Sequence, residues 1–249
     1  MNPPTSLAGH LGRLPRLLGG DPAAARQWMA AGPRVWLLTS LLWIGFGAGL
    51  YGAALGTWRA PMQAVFNGVK FPLILLLTAA GNSFFNALLA PLLGIQIGWK
   101  ESLASVLLSF NLLSTILAAF SPLTLFLIWN LPGPDSGWNA TQDAYATILV
   151  SQSVLIAFAG IVANLHLLRV LTSLAGSPAP ARRLLIAWLA ANLVMGTQLS
   201  WIARPFFGRP NQAVQFLRDD ALRGNFFEAF FLSTSRLFRS DDKTTPHPP

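Results

Sequence analysis

Hydrophobic residues in this chain fall in long uninterrupted runs, with neither the alternation of a half-buried strand nor the single apolar stripe of a soluble helix. The first run, 36–56, reads WLLTSLLWIGFGAGLYGAALG; it carries no charge and is long enough to cross a bilayer as a helix. Four more follow at about 71–95, 103–129, 145–168 and 184–202, and none has Asp, Glu, Lys or Arg in its apolar core. The pattern predicts an all-α fold, a polytopic transmembrane helix bundle of about five spans occupying residues 35–203.

Within the first run the small residues are ordered. Gly45, Gly49, Gly52 and Gly56 are spaced by four, three and four residues, which places them on one helical face. In lipid such a stripe lets another helix backbone approach closely, and association rests on packing. These glycines are the candidate helix-packing residues, offered to the other spans or to a partner.

The polar stretches between the runs carry their own signals. Residues 1–34 form a Pro- and Gly-punctuated basic lead with Arg13, Arg16, Arg26 and Arg34. In it Asp21 as N-cap and Pro22 as first helical residue open a short helix, which Gly32-Pro33 closes. The lead is too long and broken for a signal-peptide n-region, so the first run is read as a retained anchor. Pro61 opens a segment whose Met62, Val65, Phe66 and Val69 share a face, either an interfacial helix or an ordinary loop. The sequences NLPGPDSGWNATQD (130–143) and RVLTSLAGSPAPARR (169–183) read as a polar linker and a basic loop. The tail, 204–239, ends in NFFEAFFLSTSRLF, which is too short to span. Asn225 and Glu228 have capping-box spacing there, and Phe227, Phe230, Phe231, Thr234 and Phe238 gather on one side, predicting an interfacial amphipathic helix. The last ten residues, 240–249, have a disordered composition.

Composition agrees with the pattern. Hydrophobic residues make up 53% of the 249 and charged ones 10%, against about 25% charged in soluble domains. Mean hydropathy is +0.51. The absence of cysteine excludes disulfides, thiolate metal sites and a Cys nucleophile. A net charge of +8 suggests nucleic acid, but the arginines sit at the ends of apolar runs, where membrane orientation and anionic headgroups account for them. Counting Lys and Arg near the span ends puts the N-terminus inside, with Arg13, Arg16, Arg26, Arg34, Lys100, Arg169, Arg182 and Arg183 cytoplasmic. Arg59, Lys70, Arg204 and Arg209 then lie on the other side, as does the linker without Lys or Arg.

Lack of charge inside the spans argues against proton relays, voltage sensors and ion-coupled pumps. The intramembrane polar set is neutral: Asn82, Asn86, Asn111, Gln152, Asn164, Asn192 and Gln198. These residues serve either as interhelical glue or as the lining of a path for a polar solute or lipid. Asn82 and Asn86, four apart, offer two amides to one surface. His166 can ligate a haem or chlorophyll or sense pH, or it can be an interfacial side chain; a lone histidine makes no metal site. Ser151 and Ser153 lie about four turns from His166 on one helix, too far for a nucleophile and its base. Neither a P-loop nor HExxH occurs. Asn139-Ala140-Thr141 is a formal glycosylation sequon on the predicted outer side. No enzymatic activity, cofactor or metal is expected.

YGAALG (51–56), the Pro-Met-Gln segment at 61–63, VKFPLILLLT (69–78), WIARPFFGRP (201–210), VQFLR (214–218) and Gly224-Asn225 resemble a family of uncharacterised bacterial five-span membrane proteins, similar in layout to Yip1-type proteins. The resemblance implies a bacterial inner-membrane location and a non-enzymatic role in membrane organisation. In the tail, Arg204-Pro205 ends the fifth span, where the guanidinium can take phosphate or helix-end carbonyls, and Phe206 and Phe207 sit as interfacial aromatics. The leading expectation is an integral membrane structural or accessory subunit that contacts membrane lipids and either other membrane-protein subunits or a second copy, with no nucleic acid. The alternative is a passive transporter or channel lined by Asn82, Asn86, Asn111 and Asn192.

Overall fold

The computed structural model describes residues 19, 21–92, 98–175, 178–206, 213–225 and 227–228. Its elements are all helical: α1 (Pro22–Ala30), α2 (Pro33–Gly56), α3 (Pro61–Leu92), α4 (Trp99–Asn130), α5 (Trp138–Ala175) and α6 (Pro178–Ile202). Five of them, α2 to α6, are long and apolar enough to cross a membrane, which fits a multi-pass integral membrane protein.

Local chemistry sets the first two helices. The Asp21 carboxylate accepts from the Ala23 amide at 2.9 Å, and Pro22 follows at the first helical position. Gly32, at φ 95°, takes the left-handed turn that a side chain would strain, and Pro33 restarts the chain as α2. This turn folds α1 back on α2: the Trp28 and Trp36 rings lie 6.4 Å apart, and Trp28 Nε1 donates to Thr39 Oγ1 at 3.3 Å.

Helix α2 packs most extensively on α3 and α4. The central element is α4, with 67% of its most apolar stretch buried inside the chain. From Ser102 to Asn111 every residue is buried, as expected of a helix enclosed on all sides. Its small hydroxyl residues let neighbours come close and bond their carbonyls: Ser102 Oγ to Ser83 O at 3.2 Å on α3, and Ser109 Oγ to Ala163 O at 3.3 Å on α5. Helix α6 is the opposite case, with 11% of its apolar stretch buried. Ala181, Leu184, Leu185 and Trp188 join the core; the described residues beyond Trp188 are half-buried or exposed.

The helices run further than the hydrophobic runs. The segment from Pro61 is neither a loop nor a separate interfacial helix; it is the first part of α3, continuous through Pro72. Proline inside a helix removes one hydrogen bond. Here it leaves the Gly68 carbonyl without its amide partner, and that oxygen faces Gly49 of α2. The expected basic loop 169–183 is also mostly helix, since α5 continues to Ala175 and α6 begins at Pro178, a favoured first-turn residue. With 38 residues, α5 is about 57 Å long, well beyond a core of about 30 Å, so its ends leave the hydrocarbon. The end of the second run at 93–95, the aromatic tail beyond Glu228 and the last ten residues lie outside the described residues.

Candidate functional site

The glycine stripe of α2 lies against α3. A Cβ on Gly49 would stand 3.1 Å from Gly68 O, one on Gly52 would collide with Asn67 O and stand 2.9 Å from Phe71 Cδ2, and one on Gly56 would be 2.5 Å from Ala64 Cα. Gly45 is not part of this seam, because a Cβ there meets nothing within 4 Å. A second close approach was not anticipated. Gly47 faces α4, where a Cβ would stand 2.7 Å from Ser114 O. The signal for it was the small-residue spacing Ser40, Gly47, Ala48 on the opposite face.

The neutral amides are divided among different helix pairs. Asn82 Nδ2 donates to Asn192 Oδ1 at 2.6 Å, joining α3 to α6. Asn111 Nδ2 donates to Ser40 Oγ at 2.9 Å, joining α4 to α2, where Trp43 Nε1 also donates to Thr115 Oγ1 at 2.7 Å. Gln152 of α5 accepts from Tyr51 OH at 2.7 Å and Thr124 Oγ1 at 3.0 Å, so three helices meet at one oxygen. Asn164 bonds its own helix through Gly160 O at 2.7 Å. His166 is buried inside the bundle, and its Nε2 has no hydrogen-bond partner among the described residues. Among the described residues no three His, Cys, Asp or Glu gather as metal ligands.

Asn86 stands apart, fully buried with neither side-chain polar atom partnered among the described residues. An unpaired buried amide destabilises, and an apolar replacement of similar shape relieves that penalty. Asn86→Leu is therefore expected to leave thermal stability in detergent unchanged or raised. Asn82→Leu should lower it by about 0.6 kcal/mol, the average for an interhelical hydrogen bond. A larger loss at Asn86 than at Asn82 would show that its amide has a partner after all.

The densest polar constellation lies where α3 begins and α6 ends. Gln63, Asn67 and Lys70 occupy one face of α3 and are almost completely buried. Lys70 Nζ and Gln63 Nε2 both donate to Pro205 O, at 2.8 and 3.0 Å, and Asn67 Nδ2 donates to Phe206 O at 2.7 Å. Gln63 Nε2 also bonds Asn67 Oδ1 at 2.9 Å. The Lys70 ammonium lies 5.8 Å from the Phe206 ring centre and 5.2 Å from that of Phe216. These donors hold the chain after α6 across the start of α3. Phe206 packs edge-on against Phe71, which packs likewise against Tyr51, so the aromatic chain runs from the end of the bundle into its core.

Arg204 closes the end of α6. Its guanidinium lies 3.8 Å from the Trp201 ring centre and donates from Nη1 to Trp201 O at 2.9 Å. Nη2 reaches Asp220, with the carbonyl at 3.2 Å and the carboxylate at 3.5 Å. Phe206 is half-buried, so it serves this junction more than an outer surface, while Phe227 is exposed. Asn225 Oδ1 accepts from the Glu228 amide at 2.8 Å, the N-cap half of the anticipated capping box. Phe207, Phe230 and Phe231 lie outside the described residues.

Gln63 and Asn67 had no assigned role in the sequence, and Lys70 only that of a cation at a span end; their common signal was the spacing 63, 67, 70 on one helical face. Comparison of this chain with family models, with curated proteins and with solved structures finds no match.

Proposed function

We propose that this chain is a non-enzymatic structural subunit of the bacterial inner membrane, with its N-terminus in the cytoplasm. It acts by associating in the plane of the bilayer with helices of another subunit or of a second copy. The observation that carries this reading is the sparse burial of α6, 11% of its apolar stretch against 67% for α4. Gln198 lies half-buried on that helix, and a polar side chain at membrane depth is better satisfied by a packed neighbour than by lipid. Because Gly49, Gly52 and Gly56 are occupied by α3, the contact face moves from α2, where the sequence suggested it, to the α5–α6 side. The resemblance to Yip1-type layouts agrees with an organising role.

Division of the amides favours this reading over a passive path. Asn82 with Asn192 and Asn111 with Ser40 bond within separate helix pairs, which suits interhelical glue better than the lining of one conduit.

A chain without cysteine suits single-cysteine cross-linking in native membranes. Cysteine at Leu193 or Val194, 61% and 50% exposed on α6, is expected to form a discrete adduct. Cysteine at Phe126, 64% exposed on α4, should not. Equal cross-linking at both faces, or none at either, would contradict the proposal.

A further inference from the structure

A cavity of about 240 Å³ lies among α2, α3, α4, α5 and α6 and the turn after α6, walled mainly by leucine, isoleucine and phenylalanine. Its α5 side includes Ser153 and Ile156, both exposed, and its α6 side includes half-buried Ser200. The two helices share the core near Leu171 and Leu184 and present open surface around the cavity, so its mouth faces sideways into hydrocarbon. The depth is fixed by Gln152, which bonds Tyr51, five residues or about 7.5 Å short of the end of α2. The cavity therefore sits in the leaflet where α2 and α6 end.

Gln152 lines this cavity and is 1% exposed. Its Oε1 accepts from both Tyr51 and Thr124, while Nε2 has no partner among the described residues. Exchanging the two amide ends does not help, because the hydroxyls can then accept from nitrogen and the oxygen is left bare. Water is a poor remedy, since a buried water requires two to four polar partners and these walls are apolar. The requirement is for a slender apolar molecule that enters from the bilayer and brings one acceptor to the depth of Gln152.

We propose that this cleft binds one acyl chain of a glycerophospholipid. Its ester carbonyl accepts from Gln152, and the methylene tail lies against Leu75, Leu117 and Ile156. A single chain forms all of the walls, and the mouth opens on the same α5–α6 side as the proposed contact face, so a bound lipid lies at the edge of that face.

The test reconstitutes the full chain into phosphatidylethanolamine–phosphatidylglycerol vesicles containing a trace of phosphatidylglycerol with a diazirine in one acyl chain. Photolabelling is expected to concentrate on 149–156 of α5 and around Ser200 of α6. Ser153→Trp and Ser200→Trp, which fill the mouth, should each lose that label and keep the label at Leu123 and Phe126, exposed on α4. Labelling spread evenly over exposed faces of the wild-type chain would overturn the proposal, and that pattern decides even if both variants misfold. Equal labelling of the cleft by a free fatty acid with the same diazirine would overturn the assignment to a phospholipid.

Discussion

Gly52→Leu is expected to lower the stability of the bundle by about 3 kcal/mol or more, the upper range for overpacking a close interface. The reason is the nature of the neighbour. A Cβ at this position meets the Asn67 carbonyl oxygen and the Phe71 ring, and backbone cannot rotate away as a long side chain can. Relief requires α3 to move off α2, which would also disturb the adjoining contacts at Gly49 and Gly56. Natural domains hold about 5–15 kcal/mol in reserve, so a loss of this size should show as a lower melting temperature and a smaller monodisperse fraction in detergent. Gly45→Leu is the internal control. It belongs to the same sequence stripe, but a Cβ there meets nothing within 4 Å, so a change within about 0.5 kcal/mol is expected. Equal behaviour of the two variants would mean that the α2–α3 seam is misplaced.

Lys70→Met should have its effect at the end of the bundle, not in its centre. The substitution keeps an unbranched side chain and removes a charged donor from Pro205 O, an interaction of the class worth about 1.5–3 kcal/mol. It also removes the cation that lies between the Phe206 and Phe216 rings. Gln63 and Asn67 keep their bonds to the same turn, so the expected result is local opening of the segment after α6 with the spanning helices intact. Ala221, 7% exposed in this segment, reports the opening when replaced by cysteine. Its reactivity toward a water-soluble thiol reagent is expected to rise about tenfold to a hundredfold in the Lys70→Met background, since 1.4 kcal/mol is tenfold. Unchanged protection would show that Lys70 does not hold this segment.

The spans were legible because lipid demands contiguous apolar residues, a signal that needs no knowledge of neighbours. Capping and proline signals marked the starts at Pro22 and Pro61, but how far the helices run beyond the apolar stretches was not legible. Outside the hydrocarbon the chain stays helical wherever no breaker intervenes, so α5 continues through Arg169 to Ala175, and the segment opened by Pro61 runs on into the span as one helix. The stripe of four glycines was readable from spacing, but a stripe of small residues fits any helix; the sequence could not say that α3 takes three of them and leaves Gly45 open. Lys70 was hidden by its position. A lysine at the edge of an apolar run reads as a cation reaching for the interface, whereas its partner, Pro205, lies 135 residues away in sequence. The meeting of Tyr51 and Gln152, 101 residues apart, was invisible on the same grounds, and with it the unpaired amide that lines the cleft.

Association through the α5–α6 side is the central claim, and the mass of the native particle after mild extraction tests it most directly. The prediction is a defined particle heavier than one 26.9 kDa chain with its detergent and lipid, dissociated by Val194→Trp on α6 and unaffected by Phe126→Trp on α4. A particle containing one copy of this chain and no other protein, under every mild extraction tried, would contradict it.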